Sequence, residues 1–93
     1  MSQVVHKEDV HRFELEVEGA VSYIEYQVKE AKVFAFMHTL VPDAHKGKGV
    51  ASQLTKGAFE WCKEHDVQII PVCSFIVTFI KRHPEWNAIK YDA

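Results

Sequence analysis

The spacing of apolar residues changes once along this chain, and the change falls at Pro42. Before it, apolar and polar residues alternate with a period of two. After "KGKG" they recur every three or four positions. A chain with one such switch folds as strands first and helices after. In "RFELEV", Phe13, Leu15 and Val17 share one face and Glu14 and Glu16 the other, which predicts a half-buried antiparallel strand. Glu18-Gly19 reads as a hairpin turn. "AVSYIEYQV" reads as the next strand, "KEAK" as a turn, and "VFAFMHTLV" as an interior strand, apolar on both faces. "VVHK" adds an edge strand.

From Gly49 to about His65, Val50, Ala51, Leu54, Ala58, Trp61 and Cys62 form one helical stripe. Lys56, Glu60, Lys63 and Glu64 take the wet side. "VQIIPVC" reads as a short strand whose proline, lacking a donor, places it at an edge or bulge. "SFIVTFIKRH" reads as a short helix capped by Ser74 and stopped by Pro84, and "EWNAIKYDA" as a last strand. The expectation is an α+β (mixed α/β) domain over residues 1–93, an antiparallel β-meander followed by helix, strand and helix.

The 93 residues suffice for one domain, and 47% hydrophobic against 26% charged residues places it among folded chains. A net charge of -2 argues against nucleic acid as partner, because phosphate binding shows as basic excess. No apolar run reaches the roughly 20 residues of a membrane span, and "MSQVVHKEDVHR" has no signal-peptide core. Cys62 and Cys73 lie on segments of different type, which argues against a disulfide scaffold and for a reducing, cytoplasmic setting. No Cys/His pair has zinc-ligand spacing, so no metal site is expected.

A strand, the loop "PDAHKG" and a helix start follow one another here. Free amides at a helix start, at the positive end of its dipole, form an anion site. Gly47 and Gly49 let an anion approach the backbone, Val50, Ala51 and Ser52 form the first turn, and Lys46 and Lys48 add charge. A diphosphate suits this description. The Walker spacing is absent, and the dinucleotide fingerprint would need glycine in place of Ser52. The plain alternative is a glycine loop that only turns the chain.

"Lys46-Gly47-Lys48-Gly49-Val50-Ala51" resembles the [RQ]-x-x-G-x-[GA] signature of the GNAT acetyltransferase superfamily, with Lys46 in place of the usual Arg or Gln. Lysine keeps the charge and loses the planar fork. Together with "IIPVCSF" and "FIKRHPEW", the motif is similar to the small YjdJ-type GNAT-like family over roughly residues 10 to 86. The resemblance implies binding of acetyl-CoA, with its diphosphate on residues 46–52. It also implies a pantetheine arm laid against Thr39, Leu40 and Val41 in a V-shaped opening between strands. Lys81 and Arg82 are candidates for the adenosine 3′-phosphate, or an ordinary basic helix end. The two helices that help form the acceptor site in larger relatives have no counterpart in this sequence.

The activity implied is acetyl transfer to a small-molecule or protein amine, with a non-catalytic acyl-CoA-binding or sensing module as the alternative. Cys73 is the candidate reactive residue: a thiol at a helix start is activated, whereas a buried free cysteine is simply a small hydrophobe. His38 is a candidate base on the interior strand, or a strand histidine with no such role. The tyrosine that common relatives place seven residues after the Cys73 position is Ile80 here. His45 faces either ligand or solvent, and Cys62, Trp61, Phe75 and Phe79 are expected in the core. Glu14, Glu16 and Glu18 read as a solvated face open to a cationic acceptor.

Overall fold

The computed structural model describes residues 3–91. Its strands β1 (Val5–Lys7), β2 (Arg12–Val17), β3 (Ala20–Glu30), β4 (Val33–Leu40) and β5 (Gln68–Pro71) form one sheet in sequence order. The first four are antiparallel, and β5 joins β4 in parallel after a crossover through α1 (Val50–Glu64). Helix α2 (Ser74–Arg82) follows β5. The meander, helix, strand and helix expected from the sequence are all present.

The β2–β3 hairpin turns on Glu18 and Gly19, both with positive φ (50° and 82°), as a two-residue primed turn requires. Strand β3 runs on through Lys29 and Glu30, so the second turn is shorter than "KEAK" and uses Ala31 and Lys32, with Lys32 at φ 63°. Pro71 lies on β5, at the end of the five-strand order. The start of α2 differs from expectation. Cys73 occupies the cap position, with no side-chain cap bond, and Ser74 is already helical. The tail differs too. Pro84 presets a helical φ and opens a 3-10 helix, Pro84–Ile89, instead of a strand. A single parallel bridge, Ile69 to Lys90, is what remains of strand character there. Asp92 and Ala93 lie outside the described residues.

Both helices cover the same sheet face. Phe59 of α1 packs its ring 5.5 Å from Phe36 on β4 and 5.6 Å from Phe79 on α2. Phe13, Leu15, Ile24, Leu54, Cys62, Ile69 and Ile76 complete this core with almost no exposure. Phe59, absent from the apolar stripe read in the sequence, is one of its largest members. Of the residues in that stripe, Ala51 and Trp61 are only half-buried. The opposite face stays open, and on it Arg12 spans Tyr23 (4.1 Å to the ring) and Glu25 (3.1 Å).

One irregularity positions the site. Tyr26 pairs with Phe36 but Glu25 pairs with His38, so Met37 is a surplus residue, a β-bulge. Across it, Phe36 and Thr39 face the helices together, opposite Tyr26 and the buried Ile24. Plain alternation would put them on opposite faces. Pairing of β4 with β5 also ends here, at Phe36 and Pro71. The Phe36 carbonyl then accepts two amides, from Val72 (3.3 Å) and Cys73 (3.0 Å). Beyond that fork the strands part, and no backbone–backbone hydrogen bond joins residues 37–41 to β5.

Candidate active site

A cleft of about 410 Å³ sits at this parting. Thr39 from the end of β4 and Val41 just beyond it form one wall. His45, Lys46, Gly47 and Gly49 from the loop, with Val50, Ala51 and Ser52 from the first turn of α1, form the second. Phe75 from α2 closes the third.

The loop backbone is built from its glycines. Gly47 and Gly49 have φ of 81° and 77°, a region in which L side chains are strained, and Gly49 is the cap residue of α1. Among the described residues, the amides of Gly47, Gly49, Val50, Ala51 and Ser52 make no backbone hydrogen bond. The first one into the helix runs from the Gln53 amide to the Gly49 carbonyl at 3.0 Å. Both glycines line the cleft, and a Cβ added at either would meet nothing within 4 Å, so the space beside them is open. Unspent donors at the positive end of a 15-residue helix suit an anion. Lys46 is exposed and pairs with Asp43 at 3.0 Å, a surface contact weak enough to exchange for another anion. Lys48 is exposed and is not in the cleft wall.

Cys73 is half-buried and points to β4, its Sγ donating to Thr39 Oγ1 at 3.6 Å. Burial alone would raise its pKa. Hydrogen bonding to the sulfur by the Thr39 side chain and the backbone of Phe75, Ile76 and Thr39 outweighs that, and the thiol lies below its ordinary value. Cys62, fully buried on α1, is pushed up to about 12 by desolvation.

The structure thus brings Thr39, Val41, Lys46, Gly47, Gly49, Val50, Ala51, Ser52 and Cys73 together. It does not bring His38 to them. Across from Glu25, His38 is exposed on the open face, because the bulge at Met37 turns it away from the side of Thr39 and Cys73. Leu40, opposite Tyr23, also turns its side chain to that face, leaving its backbone at the strand edge. Lys81 and Arg82 are exposed in the last turn of α2, whereas the cleft meets the first turn of that helix at Phe75. Phe75 is a cleft wall as well as a core neighbour. Ile80 is buried, and none of the described tyrosines borders the cleft. Among the described residues no group of three or more His, Cys, Asp or Glu side chains could hold a metal, and no helix is long and apolar enough to cross a membrane.

Comparison with known proteins places this architecture. The chain is 33% identical to Protein NATD1 of Gallus gallus over 86 residues, covering 88% of this chain and 76% of that one. It is 31% identical to Protein NATD1 of Homo sapiens, with coverage of 88% and 74%. Its fold is similar to the NMR solution structure of a GCN5-like putative N-acetyltransferase from Staphylococcus aureus. That match has a TM-score of 0.73 and 23% identity, covering 99% of this chain and 90% of the other. The family model described as GCN5-related N-acetyl-transferase matches residues 12–89, from the first long strand to the closing 3-10 helix. The chain belongs to the GCN5-related N-acetyltransferase family.

Proposed function

We propose that this protein transfers an acetyl group from acetyl-CoA to an amine, with Cys73 as the reactive residue. The observation that carries the reading is the meeting, in one cleft region, of five unspent loop amides, the open edge of β4 and an activated thiol. Acetyl-CoA supplies the acetyl group as a thioester. The amides of Gly47, Gly49, Val50, Ala51 and Ser52 hold its diphosphate, with Lys46 leaving Asp43 to add charge. The backbone of Thr39, Leu40 and Val41 holds the pantetheine arm as an added strand. Thr39 also keeps Cys73 Sγ in place. The Cys73 thiolate attacks the thioester carbonyl and displaces CoA as its thiolate; the amine then attacks the acetyl-Cys73 thioester, which releases the Cys73 thiolate, and the ammonium proton passes to solvent.

One observation favours a second reading, an acyl-CoA-binding module without turnover. Where common relatives carry a tyrosine able to protonate a departing thiolate, Ile80 is buried in the core. Thermal unfolding with CoA is the first test. Binding should stabilise the fold by about 2.7 kcal/mol at a hundredfold excess over Kd, and no shift at millimolar CoA removes both readings. Intact mass after exposure to acetyl-CoA then separates them. An acetyl adduct that disappears in Cys73→Ala, with turnover on an added amine, supports the enzyme. Turnover that survives Cys73→Ala means direct transfer. Binding with neither adduct nor turnover leaves the module.

A further inference from the structure

The loop that carries the glycines is exposed at Asp43, Ala44, Lys46, Gly47, Lys48 and Gly49, yet His45 in its midst is only 4% exposed. A histidine in a surface loop is ordinarily wet. Here the residue is folded inward and lines the cleft with Thr39, Val41 and Val50. A phenyl or isobutyl group would fill such a wall at no polar cost, so an imidazole in this position calls for a polar use.

The two ring nitrogens stand in different situations. Nδ1 is sealed from solvent and has no hydrogen-bond partner. A sealed ring nitrogen with no partner forfeits about 1–3 kcal/mol whether it is donor or acceptor. The tautomer with its hydrogen on Nε2 puts the donor on the other nitrogen, where an oxygen acceptor can use it. Nε2 is not among the sealed, partnerless atoms, and no hydrogen bond from the His45 ring to another described residue occupies it. One ring nitrogen with no protein partner, able to donate, therefore belongs to a residue that lines the cleft.

We propose that His45 donates a hydrogen bond through Nε2 to an oxygen of the acyl-CoA tether. It thereby positions the tether between the glycine loop and the open edge of β4. The inference rests on the acyl-CoA reading above and adds a side-chain contact to a cradle otherwise made of backbone. The acceptor is either a diphosphate oxygen or an amide carbonyl of the pantetheine arm, two sources with the same hydrogen-bonding chemistry.

The test is titration calorimetry with CoA on wild type, His45→Phe, His45→Leu and His45→Gln, each first checked for a cooperative melt without ligand. Phe and Leu keep the wall filled and remove the donor, and each should weaken CoA binding about tenfold. Glutamine restores an N–H near the same depth and should recover most of the affinity. ADP and pantetheine identify the acceptor: the loss carries over to ADP if it is the diphosphate and to pantetheine if it is the arm. Binding of CoA by the Phe and Leu variants within twofold of wild type would overturn the proposal. So would a glutamine variant as weak as either. Failure of the wild type itself to bind CoA is a different result, and it removes the acyl-CoA reading together with this one.

Discussion

Cys62 and Cys73 differ in chemistry because their neighbours differ. Desolvation holds Cys62 near 12, whereas hydrogen bonding to Cys73 overcomes its partial burial. Alkylation by iodoacetamide in the native state should therefore label Cys73 alone, with a rate midpoint below the ordinary thiol range. Thr39→Val removes the side-chain hydrogen bond to Sγ and should move that midpoint upward, read from the pH dependence of the labelling rate. Cys62 should react only on unfolding. The helical stripe in the sequence already marked Cys62 as core, and the end of "VQIIPVC" marked Cys73 as the thiol beside a helix start. His38 and His45 were not legible in the same way. Alternation places His38 on the face of Phe34 and Phe36, and nothing in the letters announces a bulge. Nothing in "PDAHKG" shows that its histidine turns inward.

At the scale of elements, the loop before α1 is held by conformation more than by contacts. Gly49→Ala would put a Cβ at φ 77° with no atom near it, so the cost is backbone strain of about 1–2 kcal/mol. Each kcal/mol corresponds to a fall in Tm of about 4–8 °C in a domain of this size, and a melting curve reads it directly. Gly49 also lines the cleft, so CoA affinity should fall by more than the stability loss explains, as calorimetry would show. Strands β2 to β4 and helix α1 were readable because a face buried over many residues imposes its period on the sequence. The tail was not. "EWNAIKYDA" has strand-like residues, but Pro84 starts a 3-10 helix, and the tail meets β5 only at its end, where Lys90 bridges Ile69 and the Tyr91 amide donates to the Ile69 carbonyl. The Ser74 cap failed for a related reason: β5 ends at Pro71, and Cys73 falls at the cap instead.

The whole molecule carries a pH dependence far from the cleft. His6 on β1 has a side chain only 7% exposed. It stacks on Phe13 at 4.2 Å, meets Trp61 edge-on at 4.1 Å, and shares a hydrogen bond with the Tyr26 hydroxyl at 2.6 Å. Burial lowers its pKa below 6.5, with His65 and His11 acting in the same direction and Glu8 opposing. The folded state thus refuses a proton that the unfolded chain accepts. Stability from this site is full above 6.5 and declines as pH falls through that value toward the lower folded one. Denaturant midpoints measured from pH 7.5 down to 5 should show the decline, and His6→Phe should flatten it.

The bulge at Met37 has a last consequence for the molecule as a whole. A chain shortened by that one methionine would keep Phe36 and Thr39 on the helix side and His38 on the other, because the remaining residues then alternate without interruption. What vanishes is the bend. Strand β4 would run straight beside β5, and the two would zip shut past Phe36. Such a deletion variant should fold, keep its thiol next to Thr39, and take up no CoA. The aperture is a single amino acid's worth of slack, carried in the second half of strand β4.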